Sequence, residues 1–230
     1  MEKVKTGIVG LDNMLGGGIP KSRTVLIVGA TGTGKSTLGV EFLYRGITKF
    51  QEPGILVSLE ESLEDLYENY KEFGWDLESL CKQDMLRITT SSIMPRESES
   101  DMFLLIDRIQ KDTEEIKAKR IVIDSLPSIS ANTSIEERQN LLTLSRLLNE
   151  LDCTCFLISE GSDDRLEASD YGQVAYISHG IIILYYSRVG SSRNRGIEVR
   201  KMRGVRHSEK IKSMDISNEG ITVFEGDYIK

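Results

Sequence analysis

One eight-residue motif limits what this chain of 230 residues can fold into. Residues 29–36 read Gly-Ala-Thr-Gly-Thr-Gly-Lys-Ser, a complete G-x-x-x-x-G-K-[ST] phosphate-binding loop. An apolar, β-branched run over 24–28 precedes the motif, and a run with helical spacing follows it. This position between a predicted strand and a predicted helix indicates an α/β fold that binds a nucleotide. The structural alternative is a glycine-rich turn without a ligand.

The residues of the loop have distinct predicted roles in holding phosphate. Glycines at 29, 32 and 34 permit backbone angles that a Cβ atom would forbid, so backbone N–H groups can point towards phosphate oxygens. We predict that Lys35 reaches the β- and γ-phosphates and that the Ser36 hydroxyl binds Mg²⁺. The predicted nucleotide-binding set is Gly29, Ala30, Thr31, Gly32, Thr33, Gly34, Lys35, Ser36 and Thr37.

Composition sets the size and class of the protein. A chain of 230 residues, of which 39% are hydrophobic, can build one large α/β domain. We expect a single domain over 1–230, preceded within it by a short N-terminal segment over 1–20. No apolar run approaches the ~20 residues that a membrane span needs. Because residues 1–6 lack the apolar region of a signal peptide, we expect a cytoplasmic protein without membrane contact.

The net charge of −7 is unevenly distributed along the chain. Residues 188–212 contain nine Lys and Arg against two acids, a local balance of +7 that leaves −14 for the rest. An acidic bulk disfavours non-specific binding to DNA, whose phosphates attract basic proteins. A basic segment in an acidic chain instead favours a specific anionic contact, such as a phosphate, a nucleic acid or an acidic neighbour.

Apolar runs with strand character alternate with helical patterns through most of the sequence. The alternation predicts βαβ units, and hence a mostly parallel twisted sheet flanked by helices. The last part of the chain lacks helical patterns, which predicts antiparallel strands added to one edge of the sheet. The predicted parallel strands are 24–28, 55–59, 85–89, 120–124 and 153–159, the helices are 35–50, 62–73, 101–118 and 136–151, and the C-terminal strands are 173–187, 196–203 and 211–225.

Two further predicted strands end in carboxylates, which nucleotide hydrolysis needs in addition to the loop. Asp124 ends one of them and is predicted to hold Mg²⁺ opposite Ser36, the alternative being a turn or helix-cap aspartate. Glu60 and Glu61 follow the other, where one of them can orient the attacking water. The position alone leaves open whether these glutamates are catalytic or are only acids favoured at a helix start.

The centre of the basic segment carries cations suited to a phosphate neighbour. If strand alternation continues, Lys201 and Arg203 share one face, with Met202 opposite and a turn at Gly204. We place this strand at the edge of the sheet, where its cations would contact the γ-phosphate on a neighbouring subunit. A solvated edge strand that carries Lys and Arg to prevent aggregation is the alternative.

In its motifs and their order, the chain resembles the KaiC-type branch of the RecA-like ATPases. The similarity runs over almost the whole chain with few gaps. The matching phrases are Thr6–Pro20, the phosphate loop, Glu60-Glu61, Asp124-Ser125 and Lys201-x-Arg203-Gly-x-x-His207. The first and last phrases are the specific ones, because a bare phosphate loop occurs in many families.

The resemblance implies a RecA-like P-loop fold that binds and hydrolyses ATP with Mg²⁺. It also implies a homo-oligomer, a hexameric ring with nucleotide between its subunits. Glu60 and Glu61 would be the catalytic carboxylates. Lys201, Arg203 and His207 would act on the nucleotide held by the adjacent subunit.

Three features depart from the family's pattern. The clock proteins of the family have two such domains in tandem, whereas this chain has one. Ala175-Tyr176 replace the Ser-Thr pair that those proteins phosphorylate, so neither timing nor self-phosphorylation at that place is supported. Ser22 stands where many relatives have Gly.

Three functions stay open at this level. The first is a slow, oligomeric, Mg²⁺-dependent ATPase that acts as a switch or scaffold for an unidentified partner protein. The second is a recombinase-like ATPase that binds DNA, which the acidic bulk disfavours. The third is a nucleotide sensor with negligible hydrolysis, which the Glu60-Glu61 pair disfavours. Fold alone does not choose among them.

Overall fold

The computed structural model describes residues 1–90, 100–126, 135–161 and 177–228. The elements in chain order are β1 (Lys3–Val4), α1 (Leu11–Met14), β2 (Ile19–Pro20), β3 (Thr24–Gly29), α2 (Lys35–Phe50), β4 (Gly54–Ser58), α3 (Leu63–Lys71), α4 (Leu77–Lys82), β5 (Leu86–Thr90), α5 (Ser100–Ile116), β6 (Arg120–Leu126), α6 (Ile135–Glu150), β7 (Thr154–Glu160), β8 (Gly180–Val189), β9 (Ser192–Met202), β10 (Lys212–Ser217) and β11 (Gly220–Asp227).

The main sheet contains nine strands within the described ranges, in the order β11-β10-β9-β8-β3-β7-β6-β4-β5. From β8 to β5 every neighbouring pair is parallel. From β8 to β11 every neighbouring pair is antiparallel. The predicted fold class, a mostly parallel sheet flanked by helices with antiparallel C-terminal strands, is therefore confirmed.

The central strand β3 is buried on both faces, as a parallel strand covered by helices should be. Val25 and Ile27 belong to an apolar cluster on one face that includes Phe42 of α2. Leu26 and Val28 belong to a cluster on the other face, which α5 and α6 cover. Because both faces are apolar, β3 reads as a continuous hydrophobic run rather than as an alternating one.

The C-terminal region differs from the prediction. The segment 211–225 is not one strand but the hairpin of β10 and β11, which turns at residues 218–219 before Gly220, whose φ is 106°. Only glycine adopts such a backbone readily. The short turn that ends at Gly220 was the sequence signal for two strands instead of one. The predicted strand 173–187 begins at Gly180 in the structure, and its residues 173–176 lie outside the described ranges.

This hairpin also corrects the predicted position of the basic strand. β9 is not an edge strand, since it lies between β8 and β10, and the sheet ends at β11 and β5. The strand stops at Met202, so Arg203 lies in a turn and does not share a strand face with Lys201. Gly204 does turn the chain, with a φ of 83°.

Two further expectations touch the limits of the described ranges. No helix within them is both long and apolar enough to cross a bilayer. The replaced pair at Ala175-Tyr176 lies outside them. The short helix α4 was not predicted from the sequence, although Asp76 caps it by accepting a hydrogen bond from the Ser79 N–H.

Candidate active site

The phosphate-binding loop joins the end of β3 to the start of α2. Gly29 is the last residue of β3, and a Cβ atom there would lie 2.7 Å from both Leu184 O and Thr33 Oγ1. Gly32 and Gly34 have φ values of 79° and 100°. Glycine is thus required at the first position by close approach and at the other two by backbone conformation.

The N-terminus of α2 is open to an anion. Among the residues that the structure describes, no side chain caps this helix, and its first turn contains no acid. By contrast, Ser62 caps α3 by accepting from the Asp65 N–H, and the first turn of α3 contains two acids. Because the first N–H groups of a helix lack partners and carry positive partial charge, α2 is arranged to receive phosphate oxygens.

Lys35 folds back over the loop towards the carboxylates. Its Nζ atom donates to Ala30 O at 2.9 Å. Burial lowers the pKa of Lys35, and the nearby carboxylates of Glu160, Asp124 and Glu60 oppose that shift. A half-buried ammonium surrounded by acids is held in place to meet the charge of a triphosphate.

Asp124 is half-buried and lies two residues before the end of β6, which continues to Leu126 rather than ending at this aspartate. The Ser36 side chain lies close to its carboxyl group. Burial raises the pKa of Asp124, the polar hydroxyl of Ser36 lowers it, and the charges of Glu60 and Glu61 raise it further. The structure therefore brings together the two predicted metal ligands beside the two predicted catalytic acids.

Each of the paired glutamates has its own support. Glu60 accepts a hydrogen bond from the Ser125 hydroxyl at the end of β6. Asn69 Nδ2 donates to Glu61 Oε2 at 3.2 Å. Both glutamates precede the cap residue of α3, whereas Glu64 lies in its first turn. Of these three glutamates, only Glu64 lies within the helix.

The cations predicted to contact a neighbour lie far from the loop of their own chain. The Arg203 N–H donates to His179 O at 2.9 Å, and the His179 N–H donates to Thr24 O at 2.7 Å. Arg203 thus stands beside the first residue of β3, whereas the loop follows Gly29 at its other end. The five steps along β3 correspond to roughly 16 Å of strand.

Lys201 also lies at this end of the sheet, where it pairs with Ile181 of β8. Lys201 Nζ donates to Ser178 O at 2.9 Å, which directs the ammonium away from the loop. Arg203 is exposed, and His207 is half-buried with its Nδ1 atom 2.9 Å from Ser208 O. The structure therefore gathers the loop and the carboxylates at one edge of the sheet and leaves these three residues apart from them.

Comparison with known proteins identifies the family. The family model described as "ATPase: KaiC" matches residues 4–228. The UPF0273 protein MJ1359 of Methanocaldococcus jannaschii is 36% identical over 241 residues, which cover 100% of this chain and 99% of that protein. This chain belongs to the KaiC family of ATPases.

Other KaiC relatives agree with this assignment. The circadian clock oscillator protein KaiC of Parathermosynechococcus lividus is 36% identical over 228 residues, 96% of this chain and 42% of that protein. The crystal structure of the KaiC-like protein PH0186 from Pyrococcus horikoshii OT3 matches with a TM-score of 0.85 and 36% identity, over 97% of this chain and 99% of that one. The chain thus spans less than half the length of the KaiC clock protein and the full length of the archaeal relatives.

Two residues around the KaiC-type loop were not given a role by the sequence. Glu160 accepts a hydrogen bond from the Thr31 hydroxyl. It ends β7 at the carboxyl edge, so the strand-end rule that found Asp124 would have found it too. Arg195 Nη2 donates to Gly32 O at 3.3 Å, and its guanidinium lies 4.3 Å from the ring centre of Tyr186. The sequence carries no signal for this contact, because it depends on the register of β9.

Tyr70 is a third such residue. Its ring is buried and stacks on Trp75, and its phenol lies close to Thr37. Burial raises the pKa of Tyr70, and the charges of Glu61 and Asp124 raise it further. The neutral phenol therefore forms one wall of the site beside the carboxylates.

The KaiC-type site fits a metal that enters with its nucleotide. In the described ranges, no cluster of three or more His, Cys, Asp or Glu is arranged to hold a metal ion by itself. The Ser36 hydroxyl and the Asp124 carboxylate offer oxygen ligands, which Mg²⁺ prefers. Mg²⁺ usually takes its remaining ligands from phosphates and water, so these two side chains suit it.

Proposed function

We propose that this protein is a slow, Mg²⁺-dependent ATPase whose complete active sites form between copies of the chain, in a hexameric ring that serves as a switch or scaffold for a partner protein. One observation carries the proposal. The loop and the carboxylates lie at the carboxyl end of β3, whereas Arg203 lies beside its amino end. Phosphoryl transfer needs positive charge at the γ-phosphate as well as a positioned water, and the family resemblance assigns part of that charge to the cations at the amino end.

The first half binds and orients the substrate. Backbone N–H groups of the loop and the Lys35 ammonium bind the triphosphate. Ser36 and Asp124 would hold Mg²⁺, which neutralises phosphate charge when bound. Glu60 or Glu61 orients the attacking water and accepts its proton, and their partners Ser125 and Asn69 fix these carboxylates.

The second half supplies cations to a neighbour. Lys201, Arg203 and His207 would lie against the γ-phosphate held by the adjacent subunit, where charge provided in trans accelerates transfer by ~10³–10⁵ in other ATPases and GTPases. Contact between two different surfaces of the same chain is head-to-tail, and such contacts form a ring when the rotation from one subunit to the next closes. Six subunits per ring is the number that the resemblance to the KaiC family implies.

The DNA-binding alternative is disfavoured by the way the fold divides the basic segment. Arg188 and Arg193 face each other near the tip of the β8–β9 hairpin, whereas Lys201 lies near its base. Eight steps of strand separate Arg193 from Lys201, about 26 Å. The buried residues Ile197 and Val199 lie between them, so the cations of β9 form two groups rather than one continuous stripe. A sub-micromolar affinity for DNA with a steep dependence on salt would nevertheless favour the recombinase-like function.

A mixing experiment tests the shared site. Lys35→Ala has a defective loop but keeps Lys201, Arg203 and His207. Arg203→Ala has an intact loop but lacks the Arg203 guanidinium. In mixed rings about one quarter of the interfaces would combine an intact loop with an intact Arg203, so part of the lost phosphate release should return. Light scattering before and after addition of ATP and Mg²⁺ measures the assembly on the same samples.

The matched control mixes Lys35→Ala with the Glu60→Gln and Glu61→Gln double variant. Both changes damage the same half of the site, so no interface becomes complete and no activity should return. If subunits demonstrably exchange and the Lys35→Ala and Arg203→Ala mixture stays inactive, the cations act within their own chain or only hold structure.

A further inference from the structure

His179 lies where β3, β8 and β9 meet, beside the cations proposed to act in trans. Its N–H donates to Thr24 O at 2.7 Å, and its Nδ1 atom accepts from the Thr24 N–H at 3.2 Å. Its carbonyl oxygen accepts from the Arg203 N–H at 2.9 Å. One residue therefore joins the first residue of β3 to the turn that carries Arg203.

The preceding residue holds the second cation. Ser178 is buried, and its carbonyl oxygen accepts from Lys201 Nζ at 2.9 Å. The two-residue segment Ser178-His179 therefore fixes both Lys201 and Arg203 relative to β3. Movement of this segment would displace both cations from any neighbouring nucleotide.

The side-chain bond of His179 exists only in the neutral form of the imidazole. A backbone N–H can only donate, so Nδ1 must carry a lone pair and the ring proton must reside on Nε2. Protonation would oppose two N–H groups and add a positive charge close to Arg23, Lys201 and Arg203. Arg23 precedes β3, Lys201 lies one residue before the end of β9 and Arg203 lies in the turn, so each of these three segments places a cation near the ring.

We propose that His179 is a positioning residue that holds Lys201 and Arg203 ready for the neighbouring active site only while its imidazole is neutral, so that mild acid switches off the trans contribution to hydrolysis. The proposal rests on the proposed function, because it concerns the same shared site. It adds a regulatory input that the loop and carboxylates do not contain.

The direction of the pH effect follows from the environment of the ring. Burial, followed by the charges of Arg23, Arg203 and Lys201, lowers the pKa of His179 from its ordinary value of 6.5. Folding therefore favours the neutral form. The stabilisation is complete above pH 6.5 and is lost as the pH falls through the lower pKa of the folded state.

Two variants separate positioning from general structure. His179→Asn offers an oxygen near the position of Nδ1 and does not titrate, whereas His179→Ala leaves the Thr24 N–H without that acceptor. Phosphate release is measured from pH 5 to pH 8 for both and for the wild type. We expect His179→Ala to lower kcat roughly ten-fold at pH 8, the scale of one lost buried hydrogen bond. Nucleotide affinity should not change, because the loop is untouched.

His179→Asn should restore most of the activity at pH 8 and remove the His179 component of the acid limb. Equal acid limbs in wild type and His179→Asn would overturn the proposal, since the limb would then belong to another group such as Asp124. Loss of nucleotide affinity in His179→Ala at unchanged kcat would also overturn it.

A readout without hydrolysis keeps this proposal distinct from the proposed function. The chain contains two histidines, so NMR of labelled imidazoles, with His207→Asn for assignment, reports the tautomer and pKa of His179 directly. Hydrogen exchange of the Arg203 amide, compared between wild type and His179→Asn at each pH, reports the turn. A proton on Nδ1 at pH 7, or equal Arg203 exchange in both proteins at pH 5, overturns the inference whether or not the protein hydrolyses ATP. If His179 shows the Nε2 tautomer and the Arg203 exchange differs at pH 5, but the mixing experiment fails, only the shared active site is overturned.

Discussion

The two ends of β3 present opposite chemistry although one short strand joins them. At the carboxyl end, Lys35 lies among acids that include Asp124 and Glu60, beside the open N-terminus of α2. At the amino end, His179 lies among Arg23, Lys201 and Arg203. Under the proposed function, the first end would hold a nucleotide with its metal and the second would meet the phosphate of a neighbour.

This difference supports the proposal that one chain does not form a complete active site by itself. A parallel strand places the loop at its carboxyl end, where ligands bind in such sheets. The antiparallel strand β9 begins near the loop, where Arg195 contacts Gly32, and brings Lys201 and Arg203 to the amino end. A head-to-tail neighbour would bring the amino end of one chain against the carboxyl end of the next.

The largest effect is expected from a substitution that damages only the site at the carboxyl end of β3. Lys35→Ala should weaken ATP binding by at least ~100-fold, because a charge-assisted hydrogen bond to phosphate is lost in a half-buried site. Calorimetry with ATP and Mg²⁺ measures the affinity. Lys201→Ala is the matched control, since it removes a lysine from the amino end and should leave binding by the isolated subunit unchanged. Equal ATP affinities for Lys35→Ala and the wild type would show that the phosphate-binding loop is not part of the nucleotide site.

A second prediction separates binding from hydrolysis at that same end. The double variant Glu60→Gln and Glu61→Gln keeps shape and removes the proton acceptor, so hydrolysis should slow by ~10²-fold or more while affinity stays largely intact. Single-turnover phosphate release measures the step. The control is Glu64→Gln on the exposed first turn of α3, which should hydrolyse ATP like the wild type. Wild-type rates in the double variant would rule the pair out.

The same contrast explains what could be read from the sequence. The carboxyl-end site follows from a local rule: parallel strands end at one edge, so residues after separate strands meet there. That rule was sufficient to bring Asp124, Glu60 and Glu61 to the loop. No comparable rule places Arg203. Its position depends on where β9 stops and on the pairing of β8 with β9, which are long-range properties.

The edge position of β9 was wrong for a related reason. The segment 211–225 has continuous strand character, and only the turn before Gly220 divides it into a hairpin that covers β9. Tyr70 was missed because its contact with Thr37 depends on how α3 packs against α2. Sequence patterns predict which face of an element is buried, but not which polar atoms meet across two elements.

A third prediction concerns the contact that Glu41 makes between α2 and β11. Glu41 of α2 is buried and accepts from the Ile221 N–H at 2.7 Å and from Arg45 Nε at 3.1 Å. Glu41→Ala would leave the buried Ile221 N–H without an acceptor and would remove the carboxylate partner of Arg45, which keeps its bond to Glu219 O, so the free energy of unfolding should fall by roughly 2–4 kcal/mol. Urea denaturation measures this change at one fixed protein concentration.

Glu41→Gln is the matched variant for that link and adds a pH dependence. Burial raises the pKa of Glu41 above its ordinary value of 4.5. The native state therefore binds the proton more tightly, and the wild type loses stability as the pH rises from about 4.5 through the raised pKa. Glu41→Gln keeps an acceptor for the Ile221 N–H and should lack this dependence. An identical pH profile in both proteins would show that Glu41 does not titrate in this range.

The smallest expected effect lies at the amino end of β3. Ser22 has a φ of 57°, its hydroxyl is bonded to the exposed Asp152, and its N–H donates to Thr154 Oγ1 at 3.2 Å. A left-handed backbone disfavours residues with a Cβ by about 1 kcal/mol. Ser22→Gly relieves this strain but loses the exposed hydrogen bond and makes the unfolded chain more flexible, so its stability should stay within about 1 kcal/mol of wild type.

The informative comparison is therefore between Ser22→Gly and Ser22→Ala. Ala loses the same hydrogen bond but keeps the strain, so it should be less stable than Gly by about 1 kcal/mol, or ~2–4 °C in Tm for a chain of this size. Thermal unfolding at fixed protein concentration resolves that difference. The opposite order, with Ala more stable than Gly, would mean that the chain enters β3 with an ordinary backbone. Position 22 would then not require a left-handed backbone, unlike Gly32 and Gly34 at the carboxyl end of β3. The contribution of Ser22 to stability would be its hydrogen bond to Asp152 alone.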